Sequence, residues 1–338
     1  MSTNQTFISI DELSQERFKY KECYEAAKAG DLTELKKMHL SGCPWDWKTP
    51  ANAATNGHLE CLKYAHSQRC DWDKWTTTYA ASNGHLECLR YAHENGCEWN
   101  DWTTQSAALN GHLECLRYAH ENGCEWDWFI SANAAFNGHL ECLKYAHENG
   151  CPWDAWTPRS AALNGHLECL KYSHENGCPW DWKTPVCAAI NGHLECLHYA
   201  FEKGCEWNWK IPAAAAADGK LKCLQYAFDS GCEWNDVTPK NACENGHLDC
   251  FKCSFESSKD PQEFWNFDFD LSKITVHIDL DDPVWRRIFS LDLSKHHELK
   301  VKVENKKKEI EDMKQVSKAS LENKLPLDVI KFCLHIYL

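Results

Sequence analysis

Nowhere in the 338 residues do about 18 apolar residues run together, the length a helix needs to cross a bilayer. The opening string MSTNQTFISIDEL lacks a charged n-region followed by an apolar stretch, so the sequence predicts a soluble, unsecreted chain. Positive charge is also short. With a formal net charge of -14 and no recurring Lys/Arg stripe, nucleic acid and membrane are both excluded as expected partners. No residues assemble a nucleophile, a base and an orienting group, and no glycine loop is shaped to cradle phosphate. These absences point away from an enzyme and from any cofactor.

What the sequence does have is a period. Gly30, Gly57, Gly84, Gly111, Gly138, Gly165, Gly192, Gly219 and Gly246 stand 27 residues apart, most of them opening the string GHLEC, and no insertion breaks the interval. A fixed period of this order marks an array whose units bury their apolar faces only by stacking. Length alone suggests two globular domains, but such an array grows by addition, so one array plus a tail is expected.

The unit Gly138 to Asn164 shows what the period encodes. His139 to Asn149 is rich in helix formers, with Leu140, Leu143 and Ala146 on one face and Glu141, Lys144 and Glu148 toward water. Gly150 follows where a left-handed residue ends a helix, with equivalents at Gly42, Gly96, Gly123, Gly177, Gly204 and Gly231; Arg69 alone breaks the rule. Thr157 and Pro158 then read as the N-cap and first residue of a second, shorter helix. Alanine pairs recur in that helix, at Ala53/Ala54, Ala80/Ala81, Ala107/Ala108, Ala134/Ala135 and Ala188/Ala189, and let neighbouring helices approach closely.

The combination of a TP-type helix start, an alanine pair, NGHLE, a second helix and a glycine C-cap resembles the ankyrin repeat over roughly residues 20 to 257. The resemblance implies an all-α, ankyrin-type α-solenoid of paired short helices that binds protein partners through its first helices and their preceding loops. Two departures matter. The unit is several residues shorter than the usual ~33, Trp-Asp leading directly into the next helix in place of a long β-hairpin finger. The histidine of the family's TPLH string is also missing. Truncated fingers imply a shallower partner surface.

Sixteen of the 21 cysteines fall in two series, Cys61 to Cys250 four residues after the glycine and Cys43 to Cys232 just after the helix-ending turn. With histidines such as His66, His93, His120, His147 and His174 they suggest a metal ladder. In the resembled pattern, however, the same places carry valine and alanine, and equivalent residues of adjacent units stand ~8–10 Å apart, too far for a disulfide. Buried small hydrophobes are the expectation, with a metal-binding cysteine array as the lesser alternative. His58, His85, His112, His139, His166, His193 and His247 open the second helix, where a ring can bond the preceding turn or its neighbour. Tryptophans at invariant spacing, Trp45, Trp72, Trp99, Trp126, Trp153, Trp180, Trp207 and Trp234, read as a packed spine.

A second aromatic series wanders in register, through Trp47, Trp75, Trp102, Trp128, Trp156, Trp182 and Trp209, and sits in the shortened loop. Near it Lys48, Thr77, Gln105, Phe129, Arg159, Lys183, Lys210 and Lys240 change from unit to unit, either by drift on a solvated edge or for recognition. The candidate partner-binding residues are therefore Trp47, Lys48, Trp75, Trp102, Phe129, Trp156, Arg159, Lys183, Trp209, Lys210 and Lys240.

The expected organisation is an N-terminal cap at residues 1–29, an array at 30–258 and a mainly helical C-terminal region at 259–338. The cap opens a degenerate unit that runs from Asp11 to Gly42. In the tail, Lys273 to Asp281 alternates like a strand, Pro283 to Ser290 reads as a short helix, and Lys295 to Glu322 as a charged helix lying across the last unit. The final string LPLDVIKFCLHIYL opens like an F-box, with Leu325, Pro326, Ile330 and Leu334 as possible adaptor-binding residues, although a terminal helix capping the array explains it equally well. Some viral ankyrin proteins carry such a tail, and the resemblance implies recruitment of a ubiquitin-ligase adaptor. The leading expectation is a non-catalytic, monomeric scaffold for a protein of unknown identity. It would work in the reducing cytoplasm, the host's if the chain is viral, and the substrate-recruiting adaptor is the alternative.

Overall fold

The computed structural model describes residues 19–258, together with 282–284, 287, 301, 304–305 and 308. Among the described residues eighteen short helices are delimited, all within 23–256, and no strand occurs. The chain divides into two compact units between Trp180 and Asp181.

In the first unit, α1 (Cys23–Lys28), α3 (Lys48–Thr55), α5 (Lys74–Ser82), α7 (Asp101–Leu109), α9 (Trp128–Phe136) and α11 (Trp156–Leu163) pack successively against one another. They alternate along the chain with α2 (Leu32–Leu40), α4 (Leu59–Ser67), α6 (Leu86–Glu94), α8 (Leu113–Glu121), α10 (Leu140–Glu148) and α12 (Leu167–Glu175), which form the second row. The second unit repeats the arrangement with α13 (Lys183–Asn191), α15 (Lys210–Ala217) and α17 (Val237–Glu244) in one row and α14 (Leu194–Glu202), α16 (Leu221–Asp229) and α18 (Leu248–Glu256) in the other. Each is an α-solenoid of helix pairs. The degenerate first pair follows the same scheme, burying Cys23, Ala26, Ala27 and Leu35.

The core follows from the repeat. Every alanine pair is fully buried, as are Leu62, Leu89, Leu116, Leu143, Leu170, Leu197 and Leu224 at one position of the second helices. Small residues bring the first helices together while leucine fills the space beneath them.

Second helices end as their spacing predicts. The Gly150 N–H bonds the His147 carbonyl and the Cys151 N–H bonds the Ala146 carbonyl, the two bonds of a Schellman turn. The same pair of bonds forms at Arg69, φ 60°: its N–H bonds the His66 carbonyl and the Cys70 N–H bonds the Ala65 carbonyl. Arg69 is the one non-glycine residue at positive φ among the described residues. A Cβ there is strained, so Arg69→Gly is expected to raise stability by about 1 kcal/mol, read as a higher urea midpoint at unchanged slope.

The start of the first helix differs from the sequence expectation. Thr157 and Pro158 lie inside α11, which begins at Trp156, and the cap is Asp154, whose carboxylate accepts the Trp156 N–H at 2.9 Å. Asp46, Asp73, Asp127 and Asp181, and Asn208 and Asn235, accept the corresponding N–H at 3.0–3.2 Å. The acidic or amide residue after the spine tryptophan thus starts the next helix in these pairs, whereas Asn100, after Trp99, makes no side-chain cap bond. Thr157 is fully buried and serves as core.

Cysteine is core, with an added role. The described cysteines are free, and all but Cys43 and Cys187 are buried. Thiols of the second series donate to a carbonyl one unit back: Cys97 to Asp73 at 3.1 Å, Cys124 to Asn100 at 3.2 Å and Cys151 to Asp127 at 3.1 Å. Burial pushes the Cys97 thiol up to about 12 and the Cys142 thiol up to about 11. Thiolate is the reactive form. A native sample at pH 8 should therefore label with dithionitrobenzoate at Cys43 and Cys187 within minutes, and the remaining described thiols only after urea is added. Rapid native labelling of Cys97 or Cys142 would contradict this packing.

Of the tail, Pro283, Val284 and Arg287 are helical, Asp282 pairs with Lys252 of α18, and the Arg287 guanidinium stands 5.8 Å from the Phe255 ring centroid. The strand expected at Lys273 to Asp281 and the terminal string with Leu325, Pro326, Ile330 and Leu334 lie outside the described residues, as does most of Lys295 to Glu322.

Candidate interaction surface

A surface available to a partner must consist of residues that the stack does not use. The invariant aromatic and histidine residues are used. His39, His66, His93, His120 and His147 stack on Trp45, Trp72, Trp99, Trp126 and Trp153 with ring centroids 3.6–3.9 Å apart. Each imidazole Nδ1 also shares a hydrogen bond of 2.9–3.1 Å with a tyrosine hydroxyl of the following helix pair, from Tyr64 to Tyr172. Burial lowers the pKa of His93 and His120, which favours the neutral ring. In the second unit Phe201 takes the histidine's place beside Trp207, at 5.0 Å.

The histidines that precede the second helices hold units together in another way. His58 Nε2 bonds the Lys28 carbonyl at 3.1 Å, thirty residues back, and His247 does the same to Ala217. Among the described residues no three His, Cys, Asp or Glu side chains converge as metal ligands. The residues that suggested a metal ladder are engaged with rings, hydroxyls and carbonyls.

The first-helix edge is different. Asp127 and Asp154 start the helices so that Phe129 and Trp156, each directly before a buried residue, Ile130 or Thr157, lie at the surface. Trp102, Phe129 and Trp156 are 56%, 44% and 54% exposed, and Trp47 38%. Lys48 is exposed beside Trp47, while Trp75 is half-buried and stacks on Tyr79. In the second unit Trp209, Lys183 and Lys240 are exposed, and the half-buried Lys210 stands 3.9 Å from the Trp182 ring centroid.

Of the candidates, Phe129 and Trp156 share one groove. Together with Trp128, Ala132, Asn133, Phe136 and Ser160 they line a groove of about 220 Å³ on α9 and α11. Trp128 and Phe129 stack at 3.8 Å, and the Arg159 guanidinium lies 5.5 Å from the Trp156 ring centroid. Trp209 and Lys210 are likewise neighbours, at 5.8 Å, whereas Lys240 pairs only weakly with Glu244 at 3.8 Å. Phe136, Asn133 and Ser160 went unnoticed in the sequence. Their signal was unit-to-unit variation: Phe136 stands where other units carry Thr55, Ser82, Leu109 and Leu163.

Two variable residues do not belong to this edge. Thr77 is buried and its hydroxyl donates to the Glu98 carbonyl at 3.0 Å; Gln105 is also buried, its amide 3.4 Å from the Asp127 carboxylate. Their variation follows the neighbour each must reach.

Residues 77–120 and 131–172 match the profile of ankyrin repeats, a family of repeats present in many copies. Among solved structures, the human ASB11 ankyrin repeat domain is similar at 19% identity, covering 47% of this chain and 85% of that one with a TM-score of 0.42. No protein of curated function matches the sequence. Among the described residues no helix is long and apolar enough to cross a membrane.

Proposed function

We propose, from the premise that residues 77–120 and 131–172 are ankyrin repeats, that this chain is a non-catalytic scaffold binding a protein partner through the edge of its first helices. One observation carries this reading. The recurring histidines, cysteines and spine tryptophans are spent on contacts between successive helix pairs, while Trp102, Phe129 and Trp156 remain exposed at positions that vary. Large exposed aromatics beside an arginine are the residue types that dominate interface energetics. The remaining candidates, Trp47, Lys48, Trp75, Lys183, Trp209, Lys210 and Lys240, extend the edge within their own units. Free thiols support a reducing compartment such as the cytoplasm, and the monomer is the simplest assembly that leaves the edge open.

The test is affinity purification from lysate with the full chain and with a W102A/F129A/W156A variant. The variant should melt like the parent and lose the co-purifying partner. A partner retained in full would remove the edge from the interface.

A further inference from the structure

We propose that Cys23 and Cys43 form a redox-modification site, closing into a disulfide under peroxide and fastening α1 to the turn that ends α2. The register singles out this pair. Cysteine recurs at the Cys43 position in the later pairs, but the 27-residue counterparts of Cys23 are Thr77, Thr104 and Ser131, and proline in the rest. Ser131 shows what the register brings together: its hydroxyl lies 3.7 Å from Cys151 Sγ and donates to the Pro152 carbonyl at 3.4 Å. The first pair makes the same approach with two sulfurs. Cys23 Sγ donates to the Cys43 carbonyl at 3.7 Å. Burial pushes the Cys23 thiol up to about 12, and the adjacent Cys43 thiol adds to the rise.

Cys43 differs from its counterparts in what its thiol does. Cys70 and Cys97 donate to the Asp46 and Asp73 carbonyls, 24 residues back, at 3.3 and 3.1 Å. The residue 24 before Cys43 is Lys19, which lies ahead of α1, and the Cys43 thiol turns to the adjoining Pro44 carbonyl at 3.8 Å. Both cysteines line a cavity of about 320 Å³ with Tyr24, Trp45 and Thr49. Cys43 is half-buried there and Cys23 is 1% exposed, so a small oxidant meets Cys43 first.

The chemistry balances in two steps. The Cys43 sulfur attacks one peroxide oxygen; the O–O bond breaks, an S–O bond forms, and water or an alcohol leaves, giving a sulfenic acid. The Cys23 sulfur then attacks the Cys43 sulfur, and the hydroxyl departs as water with the Cys23 proton. Two electrons pass from the thiols to the peroxide. A buried thiol held protonated attacks slowly, so capture at Cys43 precedes closure. Thiol reductants reverse the link, as they do other cytosolic redox-sensing disulfides. Its effect falls on the end of the stack. No helix precedes α1 among the described residues, and terminal pairs open most readily. A bond spanning 20 residues restricts that opening.

The test treats the reduced full chain with hydrogen peroxide, maps linked peptides by mass spectrometry, and follows trypsin cleavage at the exposed Lys28 on reducing gels. The linked pair should be Cys23–Cys43, and cleavage should slow at least about tenfold, returning with dithiothreitol. Cys43→Ser should abolish both effects. Cys23→Ser should leave a Cys43 sulfenic acid that dimedone traps, without protection; serine already fills this place at Ser131, so the variant keeps the fold. Cys187→Ser, at the other half-buried thiol, should change neither effect. Reduced Cys23 and Cys43 after treatment, a sulfenic acid that persists in the parent, linkage of Cys43 to Cys70 or to a second chain, or a link that leaves cleavage unchanged overturns the proposal.

Discussion

Gly111→Ala is expected to cost about 2–5 kcal/mol, several times the cost of the same change twelve residues on at Gly123. Both glycines have positive φ, 76° and 85°. A Cβ at Gly123 meets nothing within 4 Å, so only backbone strain of about 1 kcal/mol remains. A Cβ at Gly111 would lie 2.5 Å from His139 Nδ1 and 2.7 Å from its Cε1, inside the ring that opens the next unit's second helix. The imidazole cannot yield without leaving its place. A double-mutant cycle with His139→Ala isolates the steric part: the variants should couple by about 1–3 kcal/mol, the double variant being more stable than the sum of the singles. Additive costs in urea melts would show that the ring does not hold this position. Since the clash links neighbouring units, the loss should also reduce cooperativity of unfolding.

Leu143→Ala is the second large effect, about 2–5 kcal/mol. Leu143 is fully buried in α10, which packs against α8, α9 and α12. Alanine leaves a void that a stack of short helices closes only by shifting a whole pair. The adjacent Lys144→Ala serves as the control. Its ion pair with Glu141 is 2.8 Å long but solvent-exposed, and its removal should leave the urea midpoint unchanged. Equal effects at 143 and 144 would place α10 in the wrong rotation.

The helix pairs, the turn glycines with Arg69 as the exception, the buried cysteines and the packed tryptophans were legible because each obeys a local rule repeated many times. What escaped notice crosses units. The clash that requires glycine at Gly111 involves a residue 28 positions later, and the His120 to Tyr145 bond spans 25. Neither leaves a mark in a window of one helix. The helix start was misread because Thr-Pro outweighed the Asp that caps it, although Trp-Asp recurs more faithfully than Thr-Pro. The groove depends on an offset of one residue, Trp128 directly following Asp127 and Trp156 lying two after Asp154. In the sequence this showed only as an aromatic series out of register; in the structure the two rings stand on either side of one groove.

The division between recurring residues that build the stack and exposed residues that serve binding is tested most directly by urea melts of Trp126→Ala and Trp156→Ala measured side by side. Trp126 stacks on His120 at 3.6 Å and packs against the edge of Tyr145, whereas Trp156 is 54% exposed. Trp126→Ala should lose about 2–3 kcal/mol and Trp156→Ala less than about 0.5 kcal/mol. Equal losses, or a greater loss at Trp156, would contradict the account.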